Sequence, residues 1–79
     1  MNHEMRGAPR YRVEHRAPNL ATLIIGFADT PRECRSLVAV AAGRLLRERA
    51  GGELVVVDQA TEADLTSRPV WIASRPAGE

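Results

Sequence analysis

Residues Thr30 to Gly52 read TPRECRSLVAVAAGRLLRERAGG, and this stretch decides the fold because it holds a helix marked at both ends. Thr30 can cap the helix with its hydroxyl, Pro31 suits the first helical position, and Glu33 completes a Thr-x-x-Glu capping box. At about 100° per residue, Cys34, Leu37, Val38, Ala41 and Leu45 fall on one stripe, with Arg32, Ser36, Gly43 and Arg47 opposite. Gly51-Gly52 is expected to end the helix, the first glycine in a left-handed position. The predicted helix runs from Pro31 to Ala50 and spans about 30 Å.

The flanking segments read as strands. From Arg10 to Arg16 the chain alternates, with Tyr11, Val13 and His15 on one face and Arg10, Arg12, Glu14 and Arg16 on the other, as in a strand with one face in water. Ala17-Pro18-Asn19 supplies a turn. Leu20 to Ala28 is apolar on both faces, which reads as a central, well-covered strand. Beyond the helix, Glu53 to Asp58 is short and rich in valine, as suits a buried strand. Gln59 to Pro69 is polar, with one helical turn expected at Thr61 to Leu65. Val70 to Ser74 is expected to form the last strand, at an edge because Pro69 cannot donate a ladder hydrogen bond.

The expected fold is therefore α+β, a single β-β-α-β-β domain with one long helix packed on a mostly antiparallel sheet of about four strands. A helix of that length returns the chain to the end where the second strand began, so the third strand runs parallel to the second. Pairing the third strand with the first gives a fully antiparallel sheet in the order 2-1-3-4, which is preferred over 1-2-3-4. Residues 1–9 are expected to form a flexible arm, 10–75 the domain and 76–79 a flexible tail.

At 79 residues with 44% hydrophobic and 27% charged side chains, the chain has the composition of one small globular domain. One cysteine and two histidines cannot build a disulfide framework or a zinc cluster within the chain. No cofactor and no metal is expected. The longest apolar stretch, Leu37 to Ala42, is far short of the roughly 20 residues that cross a bilayer. Met1 to Arg10 has no apolar core of a secretory signal, so a cytoplasmic location is expected. All eleven basic residues are arginine, which the wealth of Ala, Gly and Pro attributes to a GC-rich genome. Residues 1–50 hold nine arginines against five carboxylates, and residues 51–79 hold two against five, so the molecule is expected to be polar from end to end.

None of the candidate sites amounts to a catalytic signature. Cys34 sits in the first helical turn, where the dipole, Arg32 and Arg35 would lower a thiol pKa, but it shares the stripe of Leu37, Val38 and Ala41 and reads as packing. The residue six beyond it is Val40, which excludes a phosphatase Cys-x5-Arg loop. His15 reads as a half-buried strand residue, and His3 lies in the arm. The Gly26-to-Pro31 junction enters a helix N-terminus but lacks both phosphate-loop spacings. Arg6, Arg10, Arg12 and Arg16 on the arm and first strand, with Arg32, Arg35, Arg44, Arg47 and Arg49 on the helix, could track a nucleic-acid backbone. Trp71, on the expected edge strand, is the side chain most suited to a partner surface, and the alternative is that it folds onto the helix as core.

The stretch Thr30 to Asp58 resembles the small β-β-α-β-β domains of unknown function found in bacteria and phages, and that resemblance brings no catalytic residues. The expected function is a non-enzymatic protein-interaction module, an adaptor, regulator or inhibitor, of the kind phages and mobile elements encode. A protein partner or a second copy is expected, with Trp71, Arg32, Arg44, Arg47, Arg10 and Arg12 at the contact. Nucleic-acid binding is the alternative.

Overall fold

The computed structural model describes residues 8–70. Strands β1 (Tyr11–Arg16) and β2 (Leu23–Ala28) precede helix α1 (Pro31–Arg47), and β3 (Glu53–Asp58) and β4 (Ala63–Pro69) follow it. The four strands form one sheet in the order β2-β1-β3-β4, with every neighbouring pair antiparallel. The expected order and the antiparallel pairing are both present.

The helix starts as its sequence dictates. Thr30 takes an extended backbone, and its Oγ1 accepts a hydrogen bond from Glu33 N at 3.2 Å. The Glu33 carboxylate reaches back one residue beyond the cap, accepting from Asp29 N at 2.8 Å. The end comes three residues earlier than Ala50. Glu48 caps the helix, Arg49 takes the left-handed conformation at φ 56°, Arg49 N donates to Leu46 O and Ala50 N to Leu45 O. That pair of bonds is a Schellman closure, which needs one left-handed residue directly after the cap, and here arginine supplies it.

The two glycines instead turn the chain into β3. Gly52 has φ 81°, and a Cβ there would lie 2.5 Å from Arg16 O and 3.0 Å from the His15 ring. His15 is buried and its Nε2 donates to Gly51 O at 2.8 Å, so it ties β1 to this turn.

One face of the sheet carries the core. Val13, Leu54 and Val56 meet Cys34, Ala41, Ala42 and Leu45 of the helix, with Leu37 and Val38 partly buried beside them. Gly26 lies where a Cβ would come 3.3 Å from the Leu37 methyls, so its bareness lets α1 settle on β2. The helix contacts β2, β1 and β3. It does not reach β4, and a groove of about 610 Å³ remains between them, floored by Tyr11, Cys34, Val38, Val56 and Leu65.

Two strand expectations are corrected. Among the described residues the last strand is Ala63–Pro69, where a polar connection and a helical turn at Thr61 to Leu65 were expected. Asp58 accepts from Ala60 N through its carboxylate and from Thr61 N and Glu62 N through its carbonyl, and Glu62 turns left-handed at φ 60°. This closes a short hairpin, so the strand begins at once and is polar because neither of its faces is covered. Thr61 Oγ1 accepts from Ala63 N and caps no helix. Pro69 closes this edge strand, opposite Glu53. Val70 follows the strand as a buried residue, and the rest of the expected Val70–Ser74 strand, with Trp71, lies outside the described residues, as do His3 and most of the expected arm and tail.

The second correction concerns β2. It begins at Leu23 and lies at the edge, with β1 its one neighbour among the described residues, so it is neither central nor well covered. Because β3 pairs on the far side of β1, nothing within the described chain flanks the outer side of β2.

Candidate interaction surface

The face of the sheet away from α1 is built from alternation. Arg12, Glu14 and Arg16 project from β1, with Val57, Val55 and Glu53 as their partners on β3. Asp64 lies opposite Val57 on β4. Glu14 sits between the two arginines, accepting from Arg12 Nε at 2.5 Å and from Arg16 Nε at 2.9 Å. Arg12 also donates to Gln59 Oε1 and Glu62 Oε1, each at 2.9 Å, and Arg16 forks onto both oxygens of Asp64 at 2.8 and 3.0 Å. Arg10 makes a similar fork to Asp58 at 3.2 Å and lies over the Tyr11 ring.

The electrostatics follow from this geometry. Burial alone would push the Glu14 carboxyl up, but hydrogen bonds from Arg12 and Arg16 outweigh it and hold the group below the usual carboxylate range. Arg10 does the same for Asp58, Arg12 for Glu62 and Arg16 for Asp64. The basic first half and the acidic second half are thus laid against each other by the β1-β3-β4 pairing. Much of the end-to-end polarity expected from the sequence is neutralised within the sheet.

The helix arginines differ. Arg32, Arg44 and Arg47 are exposed, and among the described residues no salt bridge joins them to a carboxylate. Cys34 is buried, and burial together with Glu33 raises its thiol pKa against the opposing pull of Arg35. The thiol is core packing, as its place on the stripe implies. Among the described residues no group of three His, Cys, Asp or Glu side chains could hold a metal ion, and no helix is long and apolar enough to cross a membrane.

The opposite edge carries the feature that sequence reasoning missed. On β2, Leu23, Ile24 and Phe27 remain 57%, 51% and 50% exposed, and Val40 on the adjoining flank of α1 is 69% exposed. Phe27 and Ile24 stand on the open face beside Arg12 and Glu14, while Leu23 stands on the helix face beside His15. Val40 borders both the groove along Leu23 to Ile25 and the groove along Phe27 and Ala28, so it sits at mid-strand. The result is an apolar band on both sides of a bare strand edge. Comparison with family models, curated proteins and solved structures found no match.

The six residues expected at a contact are therefore not brought together. Arg10 and Arg12 are engaged on β1, Arg32, Arg44 and Arg47 project from α1, and Trp71 lies outside the described residues. The apolar run of β2 was visible in the sequence, but reading it as buried concealed it as a surface. For the ion lattice the sequence did hold a signal, the matched alternation of Arg12-x-Glu14-x-Arg16 and Glu62-x-Asp64.

Proposed function

We propose that this chain is a small non-enzymatic interaction module, an adaptor, regulator or inhibitor, that engages a protein through the β2 edge and the adjoining flank of α1. The observation that carries the reading is the half-exposed set Leu23, Ile24 and Phe27 on a strand whose outer side has no partner among the described residues, continued by Val40. Bare edges with apolar flanks recruit a further strand, because backbone bonds supply affinity and side-chain contacts supply selectivity. The reading moves the contact away from Arg10 and Arg12, whose guanidiniums already hold carboxylates.

The test is affinity capture from the native host with the wild-type chain and with Phe27→Asp, both checked for folding by circular dichroism. A protein retained by the wild type and lost by the variant supports the reading. Equal retention by both, or none by either, counts against it.

Nucleic-acid binding keeps one supporting observation, the three helix arginines Arg32, Arg44 and Arg47 without salt bridges among the described residues. Such binding should weaken steeply with salt. Failure to bind heparin or oligonucleotides at low salt would remove it.

A further inference from the structure

The β2 edge and the α1 flank carry a pattern that is complementary to itself, and we infer that the protein they engage is a second copy of this chain, joined about a two-fold axis at the middle of β2. This rests on the reading of that edge as an interaction surface and goes further by naming its occupant.

The strand and the helix place the axis independently. An axis between Ile25 and Gly26 runs the two β2 strands antiparallel and sets Ile24 against Phe27 of the second copy, both on the open face. It also sets Leu23 against Ala28 of the second copy, both on the helix face. Directly opposed side chains in an antiparallel pair must share a face to touch, and the extra residue at Ile25, where the β1 register shifts, makes these faces agree. On the helix, Val40 lies over the same mid-strand point and projects outward. An axis through Val40 packs Val40 on its own copy and runs the two helices antiparallel.

Charge then decides in favour of self-pairing. Residues equally distant from Val40 on the two sides face one another, so Arg47 of one copy meets Glu33 of the other, twice per dimer. Arg44 meets Ser36 in the same way. At 100° per residue, Glu33, Ser36, Arg44 and Arg47 all fall within about 40° of Val40, and Glu33, Ser36, Val40 and Arg44 border the grooves along β2. Glu33 uses Oε1 for the Asp29 amide, and its second oxygen carries no hydrogen bond among the described residues. Arg47 carries none either.

The spacing is also suitable. The helix contacts β2, β1 and β3, most of all β2, so joining β2 to β2 brings the two helices roughly two to three strand spacings apart, about 10–14 Å. Packed helices touch at about 8–10 Å, the near end of that range, and the long side chains of Arg47 and Glu33 span the rest. The product is a continuous eight-stranded sheet with two antiparallel helices on one face, in which each copy covers the apolar band of the other.

Sedimentation of the full chain tests this. The wild type should sediment as a dimer. Val40→Glu, which places two carboxylates together on the axis, should weaken association about a hundredfold, and its exposed position leaves the monomer folded. Glu33→Arg and Arg47→Glu should each weaken it about tenfold, since each converts two attractive pairs into two repulsive ones. An equimolar mixture of those two variants should recover wild-type association as a heterodimer, because both contacts are then Arg against Glu. A helix merely damaged by either substitution would not recover.

A wild-type chain that stays monomeric to its solubility limit overturns the inference, as does a dimer indifferent to all three substitutions. If the wild type is monomeric while Phe27→Asp abolishes capture of a host protein, self-pairing fails and the interaction reading stands.

Discussion

The two edges of the sheet are opposites. β4 is mostly polar, with Leu65 its one large apolar side chain, is exposed, ends in Pro69, and sends Asp64 across to Arg16. β2 is apolar, carries no charged side chain, and leaves Leu23, Ile24 and Phe27 half in water. Edge strands that must stay single are protected by charge and proline. One edge of this protein has that protection and the other has none. The difference teaches that charge on the sheet holds the two halves of the chain together, and that the apolar side chains of β2 are directed outward.

The contrast can be broken most severely where both sides depend on one turn. Gly52→Ala forces a left-handed alanine with its Cβ 2.5 Å from Arg16 O, and it should cost about 3 kcal/mol or more. Urea denaturation should show a large fall in the midpoint or no folded protein.

Acid should loosen the charged side selectively. The carboxyls of Glu14, Asp58, Glu62 and Asp64 are all held below their ordinary range. Their stabilisation is therefore fully present above the unfolded carboxylate range, about pH 4. It is lost as the pH falls through the depressed folded values. Urea midpoints should be flat from neutrality to about pH 5 and fall below pH 4. The apolar contacts of β2 contain no group titrating there.

A single substitution sharpens the same point. Glu14→Gln keeps the shape of the buried side chain but removes the charge between Arg12 and Arg16, and it should destabilise the fold by about 2 kcal/mol. Phe27→Ser, though it removes an aromatic ring from the other edge, should change the stability of the isolated chain by less than that. A larger loss from Phe27→Ser would reverse the contrast between the two edges. The smallest effect is expected at the helix end, where Arg49→Gly should stabilise the fold by about 0.5–1 kcal/mol by relieving a left-handed arginine.

Much of this architecture was legible in the residues. The Thr30-Pro31-Glu33 cap and the Cys34 to Leu45 stripe placed the helix, and its length fixed where β3 had to return. The alternation Tyr11 to Arg16 placed β1 and its two faces. β4 was not legible, because a strand with no covered face needs no apolar period, and its start is set by the Asp58 to Glu62 hairpin. The helix end was misplaced because glycine is the usual left-handed residue and here arginine takes that role one residue past the cap. For the surface, the apolar residues of β2 were seen but assigned to the interior. Apolar sequence reports that a face is to be covered and does not say whether the cover lies in the same chain.

The central claim is that the β2 edge, and not the β4 edge, is the one built to be covered by a second copy. Amide hydrogen exchange of the full chain, followed as protein concentration rises, tests it most directly. The outward-facing amides of β2 should gain protection with concentration while those of β4 do not change. Protection that rises at β4, or that is independent of concentration at β2, would contradict it.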